Sequence, residues 1–581
     1  MYFGTDNRAV HIETHSAAPA AKSFKIKPLT LVVQGGTKWT PCLIAYHATV
    51  SHGDNEMEET KQATKATPSL KRNMGLFTLV ALGVGSIIGS GMFAMPAVMG
   101  SVAGPALILA VILTGAVTSI LAICYVELGS AFPLTGGPYS LPRLALGDVG
   151  GFVIGWGYFL YAFVGTAAII DIFVTYLNFY IPGLAVGQTL TPWGTLLAVI
   201  ALWVFTAINV AGIKWGALYS IVTTVGKIIP LLIFAVIGLA FLNFGNFGSF
   251  MAYGWTGVTL AMAFEFWAFT GFEAVVIPSE EVKNPGRTIP RAMLLTMAIV
   301  VGIYAFISFA FTGMINWTGL GLKPGDWSGI GNLSSPLADV AKGLGLPILA
   351  AIATIGAIIA TAGCGGDWVL LQGRIPFAMA QDHLFWSPMK KVHSRFGTPY
   401  LSLIFASVLT MVVQVLIPNF PSVALIASIT ALVPYAAAAL SVPIMRKTKP
   451  TIPRPFKLPV PKIITGLGFV LATFMVYWAS WPWTLIGGIL MLAGFPLFLL
   501  VRTHSLEIKR SAWLWVYIIG IILISYLGDT NFVFANFLPI GPLGIIPMPY
   551  DMIVLTVFAV LIFTWAYFAN ARATNTDGTR G

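Results

Sequence analysis

"GSIIGSGMF", residues 85–93, lies in the middle of an apolar stretch that runs from about residue 76 to 100. Three glycines and two serines fall between Gly85 and Gly91. Inside a helix each glycine costs about 1 kcal/mol relative to alanine. A segment long enough to cross a bilayer is therefore weakest at its own centre, and the fold has to supply a reason.

The 581-residue chain is 57% hydrophobic and only 9% charged, whereas a soluble domain carries about 25% charged residues. Apolar runs of about 20 residues recur along it, the length that spans a hydrocarbon core. The chain is read as an all-α integral membrane protein, and a multi-domain soluble protein is excluded. Cys42, Cys124 and Cys364 are too scattered for a disulfide or metal pattern, so no metal is expected. No phosphate-binding glycine loop is present, and no cofactor is implied.

Residues 1–73 are polar and of mixed charge, read as a largely disordered cytoplasmic tail without a cleavable signal sequence. Met57 is read as the natural start, and 1–56 as upstream sequence.

Fourteen apolar spans are expected, near 76–100, 104–129, 151–180, 193–211, 214–243, 256–279 and 292–314 in the first half. The remainder fall near 345–380, 400–417, 422–445, 462–480, 482–502, 512–527 and 550–570. With the N-terminus inside, Lys283, Arg287, Arg291, Arg374, Lys390, Lys391, Arg395, Arg446, Lys447, Arg454 and Arg510 all fall on the inner side. The outer loops receive Lys323 and Lys342. This asymmetry follows the positive-inside rule and places both termini, including a tail over 571–581, in the cytoplasm. It also accounts for the net charge of +11 without nucleic acid.

A second weak spot lies in the sixth span, where Thr270 and Gly271 interrupt "FWAFTGFE", residues 266–273. Paired interruptions in corresponding spans point to a transporter site at the interface of inverted repeats. The repeats would cover 74–243 and 256–445, with accessory helices over 462–570. A mid-membrane break frees N–H groups on one side and carbonyls on the other, and it survives only beside a polar cavity. A half-helix N-terminus suits a carboxylate and free carbonyls suit an ammonium. An amino acid carries both. The competing account of Gly83, Gly85 and Gly89 is close helix packing through small residues.

The chain resembles the amino acid–polyamine–organocation permeases over about residues 74–460. The anchors are "GSIIGSGMF", "YVELGSAFPLTGGPYS" (125–140), "FWAFTGFE" with "EEVKNPGRTIPRA" (280–292), and "VPY" (433–435). "WVLLQGRIPFAMAQDHLF" (368–385) and "RFGTP" (395–399) are similar to the arginine/agmatine antiporter branch. The resemblance implies a LeuT-like fold of five plus five inverted helices and secondary transport by alternating access, without enzymatic activity. The protein would be a multi-pass protein of the cell membrane. By motif, Gly89, Ser90 and Gly91 would hold the substrate carboxylate. The Ile87 carbonyl, with those around Trp267 and Thr270, would take its amino group, and Gly271 completes the substrate-binding set. Trp267 and Trp368 match positions that stack on substrate in the antiporter branch; core packing is the alternative for each.

Asp171, Lys227, Glu265, Glu273 and Asp367 are ionisable residues inside expected spans, costly enough there that function is the default reading. Lys227 matches a lysine that proton-coupled relatives place where sodium-coupled ones hold a cation. It is read as a proton carrier, or else as a permanently charged structural partner. Glu273 is read as a gating or pH-sensing group, or as an acceptor that fixes the broken backbone. Four acids against one lysine tilt the expectation toward cationic amino acids or amines, unless the acids are protonated or serve the proton path. Glu127, Glu280, Glu281, Arg287, Arg291, Arg374 and Asp382 are candidates for an inner gate of ion pairs.

The reading is a proton-coupled or exchanging amino acid transporter. The alternatives are a transceptor that senses its ligand, or an antiporter-like subunit of a proton-pumping oxidoreductase. The last expects buried His and Lys chains, yet His11, His15, His47, His52, His383, His393 and His504 all lie in tails or loops.

Overall fold

The weakened centre of the first span is a gap between two helices. The computed structural model of the protein describes residues 74–132, 137–212, 216–501, 508–528 and 541–571. The tails expected over 1–73 and 571–581 lie outside the described residues, Ala571 apart.

Helix α1 (Leu76–Ile87) and helix α2 (Gly91–Ala103) divide the first expected span, and a turn at Gly104–Ala106 leads into α3 (Leu107–Ala131). There follow α4 (Gly137–Leu177), α5 (Pro192–Ala211) and α6 (Gly216–Gly238). The sixth expected span holds α7 (Gly254–Phe269), after which two 3-10 turns, Phe272–Val275 and Ser279–Glu281, replace α-helix. Next come α8 (Pro285–Met314), the short α9 (Trp327–Ile330) and α10 (Pro336–Gly343), then α11 (Pro347–Gln381) and α12 (Tyr400–Leu416). The last are α13 (Phe420–Thr448), α14 (Pro461–Trp478), α15 (Trp483–Leu492), α16 (Gly494–Val501), α17 (Ile508–Gly528) and α18 (Tyr550–Ala571). Strand structure among the described residues is slight, with one hairpin pairing Ala185–Val186 with Thr189–Leu190.

Proline sets many of these starts. Helices α5, α8, α10, α11 and α14 each open on proline, whose fixed φ and missing N–H cost nothing in a first turn. Helix α4 begins earlier than the expected span at 151. Gly147, at φ +73, kinks it into a leading segment and a longer membrane segment.

Among the described residues, eleven helical stretches are long and apolar enough to cross a bilayer. Shorter apolar helices cover Leu76–Ile87, Tyr400–Leu416 and Trp483–Phe498. One of the eleven, Gly91–Ala131, runs for 41 residues across the Gly104 turn. The sequence reading divides this stretch between two spans.

Burial ranks the helices. The most apolar window of α13 is 100% buried, whereas that of α18 is only 22% buried, so α13 is central and α18 faces outward. Helices α4, α7 and α13 are mostly enclosed, and the break between α1 and α2 lies against α7 and α11. The protein is a multi-pass, all-helical membrane protein whose two interrupted segments sit in its enclosed interior.

Candidate functional site

Backbone geometry locates the site. Helix α1 stops at Ile87 because Ile88 turns extended (φ −72, ψ 95), and α2 restarts after Ser90 with no side-chain cap. Helix α7 stops at Phe269, since Thr270 is extended and Gly271 is left-handed at φ +98. The first turn of α2 thus offers N–H groups without upstream carbonyls, and the last turn of α7, where Thr270 caps the Trp267 carbonyl, ends in carbonyls that no further helical turn satisfies.

Two glycines let the breaks meet. A Cβ added at Gly91 would stand 2.5 Å from the Ala268 Cβ, and one at Gly271 would stand 2.7 Å from the Ser86 carbonyl oxygen. Both distances are shorter than real side chains allow. The weak helix centre therefore brings two main chains into contact.

Side chains then fix the junction. The Trp267 indole N–H donates to Ser90 Oγ at 3.4 Å. Thr270 Oγ1 donates to the Trp267 carbonyl at 2.7 Å. The Tyr304 hydroxyl, from α8, lies 3.1 Å from the Ile87 carbonyl oxygen and 3.0 Å from that of Ala268. The Trp267 carbonyl also accepts the Thr270 N–H at 3.2 Å, which occupies both its lone pairs, whereas the Ile87 and Ala268 carbonyls share the Tyr304 donor and keep a lone pair for another. Trp267 and Trp368 pack with ring centroids 5.3 Å apart, and Tyr161 meets Trp368 edge-on at 4.8 Å. Gly165 on α4 makes room for both indoles, because a side chain there would collide with them.

Two cavities border this junction. The smaller, about 10 Å³, is lined by Ile87, Gly89, Ser90, Gly91, Trp267, Thr270 and Trp368, together with Cys364. That volume is at most enough for one water, so the break is closed in this conformation. The larger, about 150 Å³, is lined by Tyr158, Tyr161, Gly271, Glu273, Asp367 and Trp368 among others. Ser86, Cys364 and Trp368 belong to both linings.

The ionisable residues divide. Lys227 is buried and donates through Nζ to the Gly85 carbonyl, in the last turn of α1. Glu273 Oε1 accepts from the Tyr158 hydroxyl at 2.7 Å, and its Oε2 has no partner within hydrogen-bonding distance. Asp367 lines the larger cavity within electrostatic reach of Lys227. Asp171 and Glu265 line neither cavity. Asp171 accepts from Gln414 on α12 at 3.3 Å, and Glu265 is fully buried with both oxygens unbonded.

At the ends of α3 and α11 the observed ion pairs use partners outside the expected gate set. Glu127 receives Arg446 through two bonds, at 2.7 and 2.6 Å, and also the Leu458 N–H at 2.8 Å. Asp382 pairs with Arg143 at 2.7 Å and accepts from Tyr139 at 2.9 Å.

Sequence reasoning missed Tyr304, Tyr158, Tyr161, Gly165 and Cys364. The spacing of Tyr158, Tyr161 and Gly165 puts them along one side of a helix, which is a readable signal. Tyr304 gave none beyond a hydroxyl in an apolar run.

Comparison with known proteins agrees with this geometry. The amino acid permease family model matches residues 74–487, and the chain belongs to that family. A methylthioribose transporter of Bacillus subtilis is 30% identical over 77% of this chain and 97% of its own length. A glutamate/serine transporter of the same organism is 28% identical, covering 86% of this chain and 94% of the relative. An aspartate–proton symporter, also from Bacillus subtilis, is 28% identical over 86% of this chain and 97% of its own. These relatives are named as transporters and not as enzymes, and the family match joins the apolar helices in making this chain a multi-pass membrane protein.

Proposed function

We propose, taking membership of the amino acid permease family as the premise, that this protein is a secondary active amino acid transporter working by alternating access. Its architecture in this reading is fourteen transmembrane helices with both termini inside, built on inverted repeats over 74–243 and 256–445. The 41-residue stretch Gly91–Ala131 supports the count. At 1.5 Å per residue it would be about twice the thickness of a hydrocarbon core, so it must turn back at Gly104.

One observation carries the reading: the gap at Ile88–Ser90 and the gap at Thr270–Gly271 meet in the protein interior. The substrate carboxylate docks on the α2 first turn and the Ser90 hydroxyl, where the helix dipole favours negative charge. Its ammonium docks on the remaining lone pairs of the Ile87 and Ala268 carbonyls, which share the Tyr304 hydroxyl. Trp267 and Trp368 close over it. Because the small cavity is nearly filled, the two indoles must part for entry, and the larger cavity begins the path on the other side.

Lys227 couples transport to protons in this scheme. Its ammonium holds the Gly85 carbonyl at the end of α1, so losing a proton weakens the bond that fixes the half-helix. A relative named as an aspartate–proton symporter supports proton coupling. The acidic residues around the larger cavity tilt the substrate toward cationic amino acids or amines.

The test is a thermal-shift screen of amino acids and amines on purified protein, followed by flux into liposomes with and without a proton gradient. At least one amino acid should raise the melting temperature and accumulate against its gradient. If none is bound and none is moved, the proposal is wrong.

A further inference from the structure

The 150 Å³ cavity beside the helix break contains more carboxylate than a structural void needs. Glu273 and Asp367 both line it, with the Tyr158 and Tyr161 rings and Trp368. Glu273 is 97% enclosed, tethered by Tyr158 through one oxygen, and its other oxygen is unbonded. A buried acceptor without a donor is costly, and a second carboxylate lining the same space raises that cost. Among the described residues, the cation that acts on Asp367 is Lys227, at the Gly85 carbonyl. With both carboxyls ionised, one ammonium against two carboxylates leaves the space short of one positive charge.

We infer that this cavity is the side-chain pocket for a substrate bearing a terminal ammonium or guanidinium group, with Glu273 and Asp367 as its anchors. The inference rests on the reading of the helix break as the site for the amino acid headgroup. Ser86, Cys364 and Trp368 line both cavities, so a chain leaving the α-carbon at the break passes Cys364 and enters the acidic space directly. About 150 Å³ is the liquid share of roughly five waters, room for an alkylammonium or alkylguanidinium chain. The rings of Trp368 and Tyr161 flank that route and offer π-faces to a cation. A substrate with a carboxylate side chain would meet two like charges there.

The experiment uses the full-length protein in lipid nanodiscs and pairs of ligands matched in size but not in charge: arginine with citrulline, and lysine with norleucine. Glutamate, aspartate and alanine complete the panel, since two relatives are named for acidic amino acids. Calorimetry should give arginine or lysine at least about tenfold tighter than the neutral partner, the scale of one charge contact. Glu273→Gln and Asp367→Asn should each reduce that ratio by about tenfold or more. Equal affinity within each pair, tighter binding of glutamate or aspartate, or an unchanged ratio in both variants would overturn the inference. The wild-type panel decides by itself if either variant fails to fold. The headgroup reading fails by a different sign: no amino acid binds the wild type, or Ser90→Trp binds all of them normally.

Discussion

The Tyr304 hydroxyl donates to the Ile87 carbonyl at 3.1 Å, and at 3.0 Å it reaches the Ala268 carbonyl as well. One side chain from an unbroken helix thus ties together the ends of two broken ones. Tyr304→Phe keeps the ring and its edge contact with Phe269 but removes the single hydroxyl proton that the two carbonyls share. The expected loss is about 1–3 kcal/mol of stability, read as a lower melting temperature, with weaker substrate affinity. A variant that melts and binds like the wild type would show that the hydroxyl does not set the junction.

Gly271 and Gly302 should respond to alanine in opposite ways. Gly271 is left-handed, with the Ser86 carbonyl against the place of a Cβ, whereas Gly302 in α8 faces open space. Gly271→Ala is expected to cost at least about 1–2 kcal/mol from backbone conformation alone, with binding lost as the breaks are pushed apart. Gly302→Ala should be neutral or slightly stabilising, by up to about 1 kcal/mol. Parallel melting curves in one detergent check both.

The Lys227 assignment separates driving force from binding. Lys227→Met removes the ammonium from the Gly85 carbonyl while filling similar volume. Liposomes carrying this variant should lose accumulation driven by a proton gradient. Uptake undiminished by the change would place the coupling group elsewhere.

The break was legible in "GSIIGSGMF" because backbone weakness is a local property of glycine and serine spacing. The partner break at Thr270–Gly271 was legible for the same reason, as was a helix over each apolar run. Ion-pair partners were not legible. Glu127 on α3 meets Arg446 on α13, more than three hundred residues away, and only tertiary packing selects that arginine from the other inner ones. The intramembrane acids were legible as costly but not as a group. Asp367 and Glu273 share a cavity whereas Asp171 and Glu265 do not, and helix rotation decides which side chain faces where.

The Glu127 pair carries its own prediction. Its carboxylate is almost wholly buried, while the Arg446 side chain is 25% exposed. Removing one partner of a buried pair costs about 3–5 kcal/mol, and partial exposure of the arginine argues for the lower end. Glu127→Gln should therefore lower stability by about 3 kcal/mol, because the neutral amide leaves the Arg446 guanidinium, and that of Arg454 at 3.7 Å, uncompensated. Adding Arg446→Met should restore part of the loss, a non-additivity that a double-mutant cycle measures. Additive effects would mean that the two residues act independently.

Cys364 reports on the wall between the two cavities. Its sulfur lies against Gly89, and the residue belongs to both linings. With the junction closed, Cys364 is buried, so a polar methanethiosulfonate reagent should label it slowly. Cys124 is buried away from either cavity lining and serves as an internal control, while Cys42 can be replaced by serine. Saturating substrate occupies the space beside Cys364 and should slow its labelling further, without changing that of Cys124. Opening the path by Trp368→Ala should accelerate it, since that indole belongs to both cavities. Mass spectrometry of the labelled peptide gives each rate. Labelling of Cys364 that ignores both substrate and Trp368→Ala would mean that the thiol does not sit on the substrate's route, and the continuity between the two cavities would lose its functional meaning.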